Sequence, residues 1–314
     1  MVRTVLGDIA PGDLGPVDYH EHLFQASPLL PGDELDDEGA STAEAAALRR
    51  SGACAMVEAT PAGLGERPAA VARAAAAAGL HIVHTTGAHR AEHYAAGHPL
   101  FGEDSGRLRA RFRRDLLSGM ADGGAAARAP GGAPVRAGLL KAGAGYWSLG
   151  GHERRVLEAV GTLAGETGAP VMVHLEHGSA AHEVLDLLAG HGCPAERVAL
   201  AHVDRNPDPG LHLELAARGA LLGYDGAARH RRAPDSVLVE CLTRVVEGGG
   251  GRALLLGGDV ARRSRYAAYG GMPGLRYLFD RFVPRVRAAV GEAATRQILV
   301  TNAARWLAWH PPES

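Results

Sequence analysis

VMVHLEHG, residues 171–178, is a run of aliphatic residues that ends in histidines and a glutamate, and VALAHVD, residues 198–204, repeats the pattern. Short runs of this kind are typical of buried parallel strands. Six further runs share this character, and most are followed by a stretch rich in alanine and leucine. The eight predicted strands are Val17–Leu23, Cys54–Thr60, His81–Gly87, Ala137–Gly143, Val171–Gly178, Val198–Asp204, Ala220–Asp225 and Ala253–Asp259.

Helices are predicted between these strands. An alternation of strand and helix produces either a closed barrel or a long, doubly wound open sheet, with right-handed crossovers in both. The predicted helices are Thr42–Ser51, Pro68–Ala78, Ser105–Ala121, Glu153–Thr167, Ala180–Ala189, Pro209–Arg218 and Ser236–Glu247.

The positions of polar residues favour the barrel. In nearly every run a polar residue stands at the C-terminal end, and a barrel gathers those ends onto one face, whereas an open sheet spreads them along an edge. The sequence therefore predicts an α/β fold, a (β/α)8 TIM barrel, with residues 1–314 forming one domain. These strand-end residues are His20, His22, Glu58, Thr85, Thr86, Lys141, His174, Glu176, His202, Asp225 and Asp259.

Composition excludes several classes of function. The 33 basic and 35 acidic residues nearly cancel, so the chain has no net field for nucleic acid or an anionic membrane. Three widely spaced cysteines, the lack of a secretory signal and the lack of a long apolar segment predict a cytoplasmic protein. The 16 histidines are a surplus that suggests metal binding.

Several strand-end residues are candidate metal ligands. His20 and His22 are two apart, so on a strand both imidazoles point to one face and can chelate one ion. An HxH pair alone is a weak motif, and His174 and His202 could simply be hydrogen-bonded core residues. Asp259 interrupts the last run at an equivalent position.

Lys141 is harder to explain by packing alone. A buried, unpaired ammonium is costly and usually loses its charge. A neutral lysine amine can take up carbon dioxide, and the two oxygens of the resulting carbamate can bridge two cations. This chemistry would turn Lys141 into a ligand.

The order of these residues resembles that of the phosphotriesterase-like amidohydrolases: His-x-His, a lysine, two separate histidines and a late aspartate. Further similarity covers nearly the whole chain, through TVLGDIAPGDLGPVDYHEHLF, ATPAGLGE, HLEHG, AHVDRNPDPG and ARRSRYAAYGG. The resemblance implies two divalent ions at the C-terminal face of the barrel. His20, His22 and Asp259 would bind the more buried ion, His174 and His202 the more exposed one, and N6-carboxylysine at Lys141 would bridge both.

The resemblance also implies a hydrolase that uses a metal-bridging hydroxide, with Asp259 as ligand and proton shuttle. Zinc is the expected metal, although imidazole and carboxylate ligands also accept manganese, cobalt, nickel or iron. A homodimer is expected from the resemblance only.

The substrate is expected to be a small polar sugar lactone that carries phosphate in some cases. Arg231 and Arg262 occupy the places where relatives acting on phosphorylated lactones hold the phosphate, and Arg265 replaces their common tyrosine. Arginine forks suit such anions, and a solvated basic loop is the alternative reading. Tyr146 and Trp147 are candidates for a pocket wall or for packing on the barrel rim.

Other functions stay open at this point. Within the same family the alternatives are hydrolysis of organophosphate triesters or of acyl-homoserine lactones. From other classes they are a non-catalytic ligand-binding barrel and a single-metal deaminase or amide hydrolase, and Lys141 argues against the last of these.

Overall fold

A computed structural model describes residues 1–229, 231 and 233–310. Eight parallel strands follow one another around a single sheet in chain order. Asp259 N donates to His20 O at 2.8 Å and Gly258 N donates to Asp18 Oδ1 at 3.3 Å, which joins the last strand region to the first. The predicted (β/α)8 barrel is confirmed. Its strands are β1 Val17–Glu21, β2 Ala55–Glu58, β3 His81–Gly87, β4 Leu139–Ala144, β5 Val171–Leu175, β6 Val198–Ala201, β7 Leu221–Tyr224 and β8 Leu254–Leu256.

Helices surround the strands, and each predicted helix is present. The first begins four residues earlier than predicted because the Asp37 side chain caps it, accepting from Ala40 N at 2.9 Å. The third ends at Leu117 instead of Ala121. The helices are α1 Glu38–Arg50, α2 Pro68–Ala78, α3 Ser105–Leu117, α4 Gly151–Thr167, α5 Ala181–Gly190, α6 Pro209–Ala217, α7 Asp235–Glu247, α8 Val283–Arg296 and α9 Ala303–Leu307; the last two were not predicted.

The interior of the barrel is built around Tyr19, which is fully buried. A Cβ atom added at Gly223 or Gly257 would collide with the Tyr19 ring or hydroxyl, so glycine at these two positions makes room for it. The Tyr19 hydroxyl donates a hydrogen bond to Asp225, which follows β7. Packing inside the barrel therefore holds a carboxylate beneath the mouth.

The N-terminal residues close the opposite end of the barrel. An antiparallel hairpin of Val2–Thr4 and Gly7–Ile9 pairs through Val2 with Ala308 near the C-terminus. Trp306 is buried there and donates its indole N–H to the carbonyls of Val171 and Arg197, both at 3.2 Å. None of the helices in the described part of the chain has the length and apolarity needed to cross a bilayer.

Candidate metal and substrate site

The six predicted metal-binding residues converge at the carboxyl ends of the strands. Lys141 and His174 lie on β4 and β5, and His20 lies on β1. His22 directly follows β1, His202 directly follows β6, and Asp259 lies three residues after the end of β8. Five of the six line a cavity of about 320 Å³, and Lys141 lies buried beside His20. The full set is His20, His22, Lys141, His174, His202 and Asp259.

His20, His22 and Asp259 form one group of potential ligands. Asp259 Oδ1 lies 3.7 Å from Nε2 of His20 and 3.7 Å from Nε2 of His22. All the ligand atoms of this group lie within 4.8 Å of one another, so one cation could bind between them. Lys141 Nζ lies 3.4 Å from His20 Nε2 and 3.0 Å from Met172 Sδ.

His174 and His202 form a second group. His202 Nε2 lies 2.9 Å from His174 Nδ1. His202 Nδ1 lies 2.6 Å from Asp225 Oδ1, and His174 Nε2 lies 2.9 Å from Glu176 Oε2. If each ring donates its N–H to the adjacent carboxylate, the two facing nitrogens both carry lone pairs. Two lone pairs at this separation repel, and a cation bound by both would relieve the repulsion.

Carboxylate and hydroxyl groups behind the histidines orient them. Asp225 Oδ2 lies 3.0 Å from His20 Nδ1, and Thr60 Oγ1 lies 2.7 Å from His22 Nδ1. This arrangement directs the Nε2 atoms of His20 and His22 towards the cavity, as is usual for metal-binding histidines. Asp225 and Glu176 were recognised from the sequence only as strand-end residues, and no signal distinguished Thr60.

Burial lowers the pKa values of basic groups in the site. Burial, reinforced by the charge of Lys141, lowers the pKa of His20 to about 3, and burial lowers the pKa of Lys141 to about 8. Burial alone would raise the pKa of Asp259, but the positive charge of Arg229 and interactions with the neighbouring histidines outweigh it, so this pKa lies well below its usual value. The site therefore combines neutral imidazoles with an ionised carboxylate, which is the donor set that divalent cations prefer.

Arginines surround Asp259 and the rim of the cavity. Arg205 donates to Asp259 Oδ2 at 3.0 Å, and Arg229 contacts both the carboxylate and the backbone carbonyl of Asp259. Arg262 lines the rim and lies 3.7 Å from Asp33. Arg231 is exposed and Arg265 is half-buried, with an N–H directed to Ala227 O at 3.4 Å; neither is among the residues that line this cavity. Besides Arg262, the arginines that line the cavity are Arg90, Arg205 and Arg229.

Two histidines that the sequence analysis did not select also line the cavity. The His89 ring lies 3.7 Å from the His93 ring and 4.5 Å from the His174 ring, measured between centroids. His89 Nδ1 accepts from Arg90 N at 2.9 Å, which leaves Nε2 as the protonated nitrogen. A separate part of the lining is apolar and consists of Leu29, Leu30, Pro61 and Leu64.

A (β/α)8 barrel with histidine, aspartate and lysine side chains gathered at the carboxyl ends of its strands defines a class of metal-dependent hydrolases. The chain belongs to the phosphotriesterase family, whose family model matches residues 1–307. It is a hydrolase of this metal-dependent family, and its His/Asp groups could bind metal ions.

Individual relatives agree with this assignment. The chain is 29% identical to a phospho-furanose lactonase of Mycoplasmopsis synoviae, over 98% of this chain and 91% of the relative. It is 30% identical to a phosphotriesterase homology protein of Mycobacterium tuberculosis, over 82% of this chain and 80% of that protein. The crystal structure of a lactonase from Listeria monocytogenes superposes with a TM-score of 0.88 at 28% identity, over 98% of this chain and 99% of the lactonase.

Proposed function

We propose that this chain is a lactonase that opens a small, polar, anionic sugar lactone with the help of two divalent metal ions, acting as a single barrel domain in the cytoplasm. The observation that carries the proposal is the pair of facing nitrogens on His174 and His202, 2.9 Å apart, beside a second group of ligands and a buried lysine.

The side chains fit two cations. His20, His22 and Asp259 would hold one ion, and His174 and His202 the other, because their nitrogen and oxygen donors face the cavity. Lys141 would bridge the two as a carbamate, since its buried amine, with its pKa lowered to about 8, reaches the neutral form that reacts with carbon dioxide more readily than an exposed lysine does. When bound, the ions supply a lowered pKa for a water molecule and withdraw charge from the carbonyl under attack.

Asp259 would transfer the proton from the attacking water to the leaving group. Arg205 and Arg229 engage its Oδ2 atom, and Oδ1 faces His20 and His22. An aspartate held in this way is ionised and can accept a proton from the attacking water, then pass it to the leaving alkoxide of the opened lactone. Both steps need Asp259 to keep its orientation, which the two arginines secure.

The rim favours an anionic substrate. Four arginines line the cavity, and guanidinium groups bind phosphate or carboxylate through paired hydrogen bonds. The name of the Mycoplasmopsis synoviae relative, phospho-furanose lactonase, supports a phosphorylated sugar lactone. The four are Arg90, Arg205, Arg229 and Arg262.

A second candidate function is hydrolysis of acyl-homoserine lactones. The apolar part of the lining, formed by Leu29, Leu30, Pro61 and Leu64, could accept an acyl chain. The charged rim argues against this reading because an acyl chain would displace water from the guanidinium groups without forming hydrogen bonds to them.

A substrate panel tests the proposal. The zinc- or manganese-reconstituted protein is assayed with a phosphorylated furanose lactone, its dephosphorylated form, an acyl-homoserine lactone and an organophosphate triester, and bound metal is measured in parallel. We expect the phosphorylated lactone to have the highest kcat/KM. Two bound ions without turnover of any lactone would instead support a non-catalytic barrel, and one ion per chain would support a single-metal hydrolase.

A further inference from the structure

A second cavity lies beside the candidate active site. Its volume is about 540 Å³, and Arg205 lines both cavities. Because Arg205 also donates to Asp259 Oδ2 at 3.0 Å, the second cavity begins within the length of one arginine side chain from the proposed reaction centre. Its lining consists of Tyr146, Trp147, His177, Ser179, Arg205 and Asn206.

Two exposed aromatic residues form the outer wall of this cavity. Tyr146 is 60% exposed and Trp147 is 65% exposed, and their ring centroids are 6.3 Å apart. They stand at the tip of a tight turn in which Gly145 N donates to Ser148 O at 3.1 Å and Ser148 N donates to Gly145 O at 3.4 Å. Ser179 Oγ accepts from Trp147 N at 3.0 Å, so the turn is tied to the loop after β5. The aromatic rings are therefore presented on a braced loop.

The backbone here is held in an unfavourable conformation. Trp147 has a φ of 49° and His177 a φ of 55°, which place two non-glycine residues of the lining in the left-handed region. Such conformations reduce folding stability and cluster at binding sites. The aromatic surface that this turn presents is more than half exposed, so it is available to a ligand.

We propose that this cavity is a subsite for a second hydroxylated ring, such as a sugar linked to the lactone on the side away from the bond that is cleaved. The proposal rests on the proposed lactonase function and extends its substrate beyond a single sugar. The Tyr146 and Trp147 rings can pack against the C–H face of a sugar, as aromatic side chains do with other apolar surfaces. The polar part of the lining can bind its hydroxyl groups.

The polar groups favour a sugar over an acyl chain. Arg205 lines the cavity and donates to Asp259 through Nη2, and its Nη1 has no hydrogen-bond partner within the residues that the structure describes. Asn206 is exposed, so its side-chain amide is accessible to a ligand. An acyl chain would leave both groups without partners, whereas sugar hydroxyls can accept from Arg205 and exchange hydrogen bonds with Asn206.

Tryptophan fluorescence tests binding without requiring catalysis. Trp147 is the exposed tryptophan, while Trp306 and Trp309 are 0% and 8% exposed, so a ligand in the subsite should change mainly the emission of Trp147. We expect a saturable change with lactobionic acid, a disaccharide acid, and none with gluconic acid. Tyr146→Ala should weaken this binding by about two- to tenfold, and Leu117→Ala, at an exposed position on α3, should not.

Kinetics of the metal-loaded protein separate the subsite from the chemistry. Trp147→Ala should lower kcat/KM for the disaccharide lactone of lactobionic acid by about two- to tenfold and leave that for gluconolactone unchanged. Equal loss with both lactones, or no saturable fluorescence change, would overturn the subsite. So would a Trp147 emission that shifts with protein concentration in the absence of ligand, because the surface would then be an interface between copies. Saturable binding without hydrolysis of either lactone or of the phosphorylated furanose lactone would overturn the lactonase function and leave the binding site standing.

Discussion

His202 Nε2 faces His174 Nδ1 across 2.9 Å, although the two residues belong to different strand regions. Each ring lies against a carboxylate at its other nitrogen, His202 against Asp225 and His174 against Glu176. With this geometry a cation could bind between the two facing nitrogens, and the first predictions test whether it does.

Metal removal should inactivate and destabilise the protein. Chelation is expected to abolish lactone hydrolysis, and zinc or manganese should restore it at about two ions per chain. At a free metal concentration about a hundred times the dissociation constant, each bound ion adds about 2.7 kcal/mol to the free energy of unfolding, which a rise in Tm would report. His174→Ala should reduce the stoichiometry to about one, whereas His182→Ala, at a half-exposed position on α5, should keep two. Two ions bound by the His174 variant would contradict the assignment.

Asp225→Asn should weaken metal binding although Asp225 is not one of the proposed ligands. Asp225 accepts from His20 through Oδ2 and from His202 through Oδ1, and asparagine offers only one accepting oxygen for these two rings. We expect metal affinity to fall by about 10- to 100-fold, which is the usual effect of losing such an orienting partner. Competition with a chelating dye measures this directly, and unchanged affinity would show that the carboxylate does not orient the ligands.

Lys141 should carry a carbamate in the metal-loaded protein. After incubation with ¹³C-bicarbonate, a carbamate resonance is expected in the carbon NMR spectrum and should be absent from Lys141→Ala. Loss of the bridging ligand should lower kcat/KM by about a hundredfold or more. Lys141→Arg should not rescue activity, because an arginine side chain remains protonated. A resonance that persists in the alanine variant would assign the modification to another group.

Variants of Arg262 and Arg231 provide a test and a matched control for substrate recognition. Arg262 lines the cavity and Arg231 is exposed outside its lining, although the sequence alone ranked them together. Arg262→Ala should raise KM for the phosphorylated lactone by about 10- to 100-fold, the loss expected for a hydrogen bond to a charged group. The dephosphorylated lactone should respond much less. Arg231→Ala should affect neither, and a larger effect there would place the anion at the other loop.

His93 should make the stability of the metal-free protein depend on pH. Burial, with the neighbouring Arg90 charge, lowers the pKa of His93 to about 3 from 6.5, so between these values the unfolded chain binds a proton that the native state does not. The contribution of His93 to stability therefore falls as pH falls below about 6.5. Between pH 6.5 and 5, His93→Gln should gain up to about 2 kcal/mol relative to wild type in urea unfolding. His182→Gln is the control, and parallel pH profiles for wild type and His93→Gln would contradict the expected effect.

The sequence by itself determined the barrel and the residues at its mouth. Aliphatic runs with a polar residue at the end are local patterns, and strand geometry converts them directly into side chains at one face. The spacing of His20 and His22 is informative for the same reason, because the two-residue period of a strand needs no knowledge of its neighbours. Helix ends were less predictable where a side-chain cap, such as Asp37, extends the helix beyond its apolar pattern.

Only the tertiary structure decided which neighbours act on these residues. Several arginines follow β7 in the sequence, and of these Arg229 contacts Asp259 while Arg231 is exposed. Asp225 becomes the partner of both His20 and His202 because curvature of the closed sheet brings β1, β6 and β7 around one centre. Contacts of this kind depend on the direction of loops and on side chains distant in the chain, and no local period encodes either of them.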